Sequence, residues 1–378
     1  MPNEPTQPIP ADATARAPHA STALCLSGGG YRAMLFHVGA LWRLYDAKLL
    51  GSVARISSVS GGSITAGVLA LNWKRLSFDP GRIQSDFVPL FVNAVRPLAD
   101  ETIDAEAVIL GIALPGSVSD RVRNAYDEHP FKGATLQDLP DEPRFVINAT
   151  NMQSGVLWRF TKRYMRDYRV GSVEKPTLSL AHAVAASSAF PPVLSPVELR
   201  LDPAAFVASS GFDQQHKPFT SRVVLSDGGV YDNLGLETAW KRHLTVLVSD
   251  GGGRLEAEAE PKSDRARHSF RVLNVIDSQV RALRKRQVID SFKSGARQGV
   301  YWGIRTHIRD YGLADPIDCS VERCAQLAAT PTRLKRLDDN VQERLINWGY
   351  AVSDAALRRH VAASLSKPAS LPYPTAGI

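Results

Sequence analysis

A short apolar run that closes on consecutive glycines and opens into a helix occurs twice in succession near the start of this chain. Ala23 to Leu26 ends at Ser27-Gly28-Gly29-Gly30, and Leu35, Val38, Leu41 and Trp42 then follow at helical spacing within Ala33 to Leu44. Val53 to Val59 repeats the run, Ser60-Gly61-Gly62 the turn, and Ser63 to Leu71 the apolar helix. Two adjacent strand–turn–helix units predict parallel strands joined by helical crossovers.

The remaining chain extends this reading. Arg144 to Ala149 predicts another core strand, Leu157 to Thr161 an edge strand, and Leu178 to Ser188 a small-residue helix stopped by Pro191-Pro192. Arg222 to Ser226 runs into Asp227-Gly228-Gly229, and Leu244 to Ser249 runs into Asp250 and a second glycine triplet. Ile276 to Arg297 predicts a long helix rich in Arg and Lys. The expected fold is a three-layer α/β architecture with a mostly parallel central sheet. Residues 1–21 are expected to be a flexible lead-in and residues 22–255 the α/β domain, with a helical insertion near 73–143. A helical extension over 256–365 should pack on the same domain and leave a loose, Pro-rich tail at 366–378.

Composition excludes some classes and leaves others open. The formal net charge of +7 suits a nucleic acid, an anionic membrane or plain solubility, and does not choose among them. Three cysteines, Cys25, Cys319 and Cys324, make no disulfide framework and lack the spacing of a zinc site, so a reducing, cytoplasmic setting is expected. No stretch has the apolar length of a membrane span, and the N-terminus has no apolar run of a secretory signal. Lipid, if met, would be met from the surface.

Three places carry candidate chemistry. Ser60 stands between a strand and a helix, where a nucleophilic serine needs a sharp turn and small neighbours such as Gly61 and Gly62. The same serine would also suit a helix cap. Gly28, Gly29 and Gly30 can bring backbone N–H groups close to an oxyanion, and would equally serve a tight turn; no GxGxxG or GK[ST] nucleotide pattern is present. Arg32 is a fixed cation beside that loop, able to hold a phosphate or steady the loop. Asp227, with Gly228 and Gly229, could be a general base if buried, or a simple Asp-Gly turn; Asp250 is the rival carboxylate.

The three elements together resemble the patatin-like phospholipase family. The matching pieces are SGGGYRAM at 27–34, SVSGGS at 58–63 and SDGGVYDN at 226–233, with AASSAFPP at 185–192 similar to the family's small-residue segment. SGGGYRAM is similar also to the group IV cytosolic phospholipases. The resemblance spans residues 22 to 250 and departs from the family at Ser58, where a glycine is usual. It implies a Ser–Asp dyad without a catalytic histidine, Ser60 as nucleophile and Asp227 as base. It further implies Gly28, Gly29 and Gly30 as the oxyanion hole, Arg32 as supporting cation, no metal and no cofactor. The substrate would be a lipid carboxyl ester at a membrane surface, with no nucleic acid partner.

Two other readings stay open on the residues alone. A Ser-His-Asp esterase would need one of His243, His268, His307 or His360, and a non-enzymatic module would hold a nucleotide or anion in the glycine loops. Arg281 to Arg297 interleaves Arg281, Arg284, Lys285, Arg286, Lys293 and Arg297 with Leu283, Val288, Ile289 and Phe292; this suits an interfacial helix or a solvated helix face. Val108 to Leu114 suits a lid or core packing, His37 and His182 suit packed histidines, and Tyr231, Asp232 and Asn233 should shape the turn after Asp227.

Overall fold

The computed structural model describes residues 17–78, 86–103 and 118–378. The segment Val108 to Leu114 lies outside the described residues. Five parallel strands form the centre of the sheet: β1 (His19–Leu26), β2 (Val53–Ser58), β3 (Arg144–Asn151), β9 (His243–Asp250) and β10 (Gln298–Gly303), ordered β10-β9-β1-β2-β3. Beyond β3 the sheet continues antiparallel through β4 (Val156–Phe160), β5 (Tyr164–Asp167) and β6 (Gly171–Glu174). β4 is therefore interior to the sheet and not the edge its sequence suggests, because β5 and β6 shield it. Two further strands, β7 (Val197–Arg200) and β8 (Arg222–Asp227), pair with each other, and β8 also pairs antiparallel with β3.

Strand alternation sorts the core into two faces. Leu24 and Leu26 of β1 join a large apolar cluster with α1 (Gly30–Asp46) and α2 (Gly61–Asn72). Ala23 and Cys25 point the other way, into a smaller cluster with Leu236, Ala239 and Val288. Also in the chain are α3 (Val118–Tyr126), α4 (Leu180–Ser187), α5 (Arg265–Lys293) and α6 (Val321–Ala329), followed by α7 (Asp339–His360). α7 lies on α1, and the crossing is as close as two helices allow. A Cβ on Gly39 would fall inside the carbonyl oxygen of Ile346, and one on Gly349 inside that of Phe36. Arg43 and Asp354 close the same interface with a buried 2.8 Å ion pair.

The ends of the chain differ from expectation. β1 begins at His19, whose N–H donates to the Arg242 carbonyl at 2.8 Å, so the first strand starts three residues before the expected boundary. The region after residue 256 is not wholly helical, since β10 adds to the sheet edge and Trp302 donates to Ser249 Oγ at 3.0 Å. Nor is the tail loose. Asn347 Nδ2 donates to the carbonyls of Tyr373 and Gly377, each at 2.8 Å, and the Tyr373 ring meets Trp42 edge-on. Among the described residues, no helix is long and apolar enough to cross a membrane.

Candidate functional site

The position of the site follows from how β3 is shared. One edge of β3 is taken by β4. Its other edge pairs first with β2, ending at Ser58 opposite Ile147, and then with β8, ending at Asp227 opposite Ala149. β2 and β8 run toward each other and meet along that edge. Whatever leaves the end of β2 must therefore face whatever ends β8.

Ser60 leaves the end of β2. Its backbone has φ 51 and ψ −121, a conformation costly for a residue with a Cβ, and its side chain is almost wholly buried. The local sequence forces this. Gly62 donates to the carbonyls of Ser27 and Val59 as α2 begins, and Gly61 packs so closely on Gly30 that a Cβ would overlap its carbonyl. The Ser60 N–H donates to Ser187 Oγ at 3.0 Å. Ser187 Oγ donates in turn to the Asn148 carbonyl at 2.7 Å and lies 2.9 Å from Ser63 Oγ. Ser63 also donates to Ser58 Oγ at 3.0 Å, so the position where glycine is usual joins this buried hydroxyl cluster.

The Ser60 side chain faces the Asp227 carboxylate closely enough to favour its ionised form. Burial pushes this carboxyl up to about 7, partly offset by the Gly229 N–H, which donates to it at 2.6 Å, and by the nearby Ser60 hydroxyl, while Asp277 raises it further. A carboxyl with that value exchanges its proton near neutral pH. The strand end is pinned on both sides: the Asp227 N–H donates to the Ala189 carbonyl at 2.9 Å, and its carbonyl accepts from Thr150 Oγ1 at 2.8 Å. Gly228 lies against the Asn148 carbonyl, with no room for a side chain.

The first glycine loop covers the pair, with Gly28 against the Ser60 side chain. Its amides are not equivalent. The Gly28 N–H donates to the Asn233 carbonyl at 3.0 Å. The N–H groups of Gly29, Gly30 and Gly61 have no partner among the described residues. Gly29 and Gly30 hold φ of 147 and 60, which only glycine adopts at ease. The loop is backed from behind by the C-terminal part, through a Tyr31 N–H bond to the Arg333 carbonyl at 3.0 Å.

Arg32 serves that backing. It is buried and donates to the carbonyls of Gly251 and Thr330 and to Thr332 Oγ1, so it steadies the loop and does not face Ser60. His37 does likewise. Trp302 donates to Ser249 Oγ, Ser249 lies 2.8 Å from His37 Nδ1, and His37 Nε2 lies 3.0 Å from the Ser27 carbonyl at the loop's entrance. Burial pushes His37 down to about 4, so it stays neutral, and the Ser27 carbonyl requires the proton on Nε2.

The rival carboxylate is occupied elsewhere: Asp250 accepts from the Tyr301 hydroxyl at 2.6 Å and the Gly252 N–H at 2.9 Å. Among the described residues, none of His243, His268, His307 and His360 is hydrogen-bonded to Ser60 or Asp227; His243 pairs with Ser21 at 2.9 Å and His360 meets the Tyr311 ring. Asn233, expected to shape the turn after Asp227, also holds the glycine loop through its carbonyl. Two contributors were not singled out from the sequence. Ser187 lies within AASSAFPP, inside a quoted motif. Asn148 sits in an ordinary core strand and gives no signal.

The patatin-like phospholipase family model matches residues 24–240. No curated protein matches the chain by sequence. Among solved structures, human GIVD cytosolic phospholipase A2 is similar at 12% identity with a TM-score of 0.51, covering 89% of this chain and 58% of that one. VipD from Legionella pneumophila aligns at 16% identity with a TM-score of 0.36, covering 91% of this chain and 68% of that one. The first likeness is one of fold, and the chain spans a little over half the length of the human protein.

Proposed function

The chain belongs to the patatin-like phospholipase family, and on that premise we propose that it is a serine lipid acyl hydrolase working through Ser60 and Asp227. The observation that carries this reading is the Ser60 side chain within reach of a buried carboxyl raised to about 7. Such a group is ionised in a substantial fraction at neutral pH and can accept a proton without a histidine.

In the proposed reaction, Asp227 takes the Ser60 proton as Ser60 Oγ bonds to the carbonyl carbon of a lipid ester. Negative charge moves to the carbonyl oxygen. The unpartnered amides of Gly29 and Gly30 are the donors best suited to it, with Gly61 beside them; losing one such donor typically costs about 10²–10³ in rate. The C–O bond to the leaving alcohol then breaks, and Asp227 returns the proton to that oxygen. Water, deprotonated by Asp227, attacks the acyl-serine; as the bond from the acyl carbon to Ser60 Oγ breaks, Asp227 gives that proton to Ser60 Oγ, which leaves the fatty acid and the free serine. Gly28 contributes by its fit against Ser60 and its bond to Asn233, which holds the loop.

The substrate reaches the site from a membrane surface in this reading. Phe270, Leu273 and Ile276 on the first half of α5 are exposed, and Asp277 on the same helix is close enough to act on Asp227. With Arg265, Arg267 and Arg271 among them, these side chains suit an anionic interface beside the catalytic mouth.

The test is hydrolysis of defined phospholipids, with products resolved by mass, by the wild type, Ser60→Ala and Asp227→Asn. Both variants should lose at least about 10³ in kcat. Retention of activity by Ser60→Ala, or failure of a fluorophosphonate to label the wild type at Ser60, would sink the reading.

A further inference from the structure

The sheet face beyond the smaller apolar cluster carries a group of arginines with almost no partners among the described residues. On β2, Ile56 belongs to the large cluster, so Arg55 points to the opposite face. By the same alternation Arg144 on β3, Arg159 on β4 and Arg166 on β5 share that face, since Phe145, Trp158 and Met165 belong to the large cluster. Register brings them together: Arg55 is paired with Arg144, and Arg159 with Arg166. The smaller core cluster covers this face at β1 and β9 and includes no residue of β3 to β6. Arg242, just before β9, completes the group and acts electrostatically on both Arg55 and Arg159.

Arg144, Arg159, Arg166 and Arg242 make no side-chain hydrogen bond and no ion pair among the described residues. Among the described residues, Arg55 donates only to the Thr238 carbonyl, at 2.8 Å. Arg166 lies over the Tyr164 ring. Two carboxylates are near. Glu237 is already shared by Lys241 at 3.2 Å and Arg284 at 3.6 Å, and Glu174 stands opposite Tyr164 at the exposed outer edge. Burial first, then the neighbouring arginines, push Arg55 down to about 10 and lower Arg159. Crowding like charges without counter-charge works against folding, so a chain that keeps such an arrangement has a use for it in binding.

We propose that Arg55, Arg144, Arg159, Arg166 and Arg242 form a binding site, separate from Ser60, for a compact ligand carrying clustered phosphoryl groups. Guanidinium forks match phosphate oxygens two at a time, and neighbouring strands set the forks about 4.8 Å apart. Carboxylates on one side of an extended peptide stand about 6.6 Å apart and carry single charges, a poorer match to that spacing. Free polyphosphate-type anions and lipid headgroups with several phosphates both satisfy the chemistry.

The experiment is calorimetric titration of the full chain with tripolyphosphate at physiological ionic strength. It is paired with co-sedimentation on phosphatidylcholine vesicles containing phosphatidylinositol bisphosphate, or phosphatidylserine at equal charge. Wild type should bind one tripolyphosphate, and Arg159→Gln with Arg166→Gln should weaken binding at least about tenfold per arginine removed. Arg166→Gln alone, at a partly exposed position, provides a variant whose folding is secure. Arg163→Gln, on an arginine paired with the exposed Glu142, should bind as wild type does. Without ligand the variants should unfold at the same or higher urea, which a structural role for these arginines would not allow. Arginine-dependent sedimentation on the bisphosphate vesicles assigns the headgroup source; tripolyphosphate binding without it assigns the free anion. No arginine-dependent binding to either probe, or poly-glutamate binding as tightly as tripolyphosphate, overturns the proposal.

Discussion

Ser187 Oγ accepts the backbone N–H of Ser60 at 3.0 Å while donating to the Asn148 carbonyl. One hydroxyl on α4 thus ties the strained elbow to the strand that aligns it. Ser187→Ala should leave both of those backbone groups buried and unpaired, at a cost of about 1–3 kcal/mol each where water cannot enter. The expected result is a lower urea midpoint and a kcat reduced about 10-fold or more with KM little changed. Ser187→Thr, which keeps the hydroxyl, should recover part of kcat, whereas a purely volumetric role would predict the reverse.

Burial raises Asp227 from 3.8 to about 7, and the sign of its linkage to stability is definite. A carboxyl raised in the folded state binds its proton more tightly there than in the unfolded chain. Its stabilising contribution is complete below the unfolded value of 3.8 and is lost as pH rises through about 7. Asp227→Asn removes that titration. Between these limits the wild type should lose stability relative to the variant at up to about 1.4 kcal/mol per pH unit, as read from urea midpoints. Activity should move oppositely, with kcat/KM rising with pH and levelling above about 7, because the ionised base does the work. A flat stability difference across this range would contradict the assignment.

The backbone of Ser60 stores strain that glycine would not feel. Ser60→Gly should therefore unfold at higher urea than Ser60→Ala, by about 1 kcal/mol after glycine's own entropic cost. Both variants should be inactive. Equal midpoints for the two would mean that the elbow is relaxed.

The α1–α7 crossing is equally exacting. Gly39→Ala places a methyl group within the Ile346 carbonyl, and only separation of the helices relieves it. A loss of at least about 3 kcal/mol is expected by denaturant titration. Ala40→Gly, one residue along the same helix, should cost only about 1 kcal/mol beyond its small packing loss.

The glycine loop, Ser60 and Asp227 were legible in the sequence because each needs small residues contiguous with it, and contiguous patterns survive in a linear text. The parallel core was legible for the same reason, since buried strands read as apolar runs. Asn148 was not, because its role comes from lying where β2 and β8 meet, a fact of register between segments far apart in sequence. The tail read as loose because proline and small residues dominate it. Its docking rests on Asn347 and Trp42, neither of which looks unusual in sequence. β10 was missed because six residues between two helical stretches carry too little pattern to stand out.

The sharing of β3 has a consequence for how this scaffold can change. The separation between Ser60 and Asp227 is set like a gauge by a single rung of one strand, Ile147 to Ala149, while the long excursion from Met152 to Ser221 merely returns the chain to that rung. Lengthening, shortening or replacing parts of that excursion should reshape the surroundings of the Ser60–Asp227 pair while leaving the pair itself in place. A two-residue slip of β8 along β3 would part the pair, however faithfully every loop were kept.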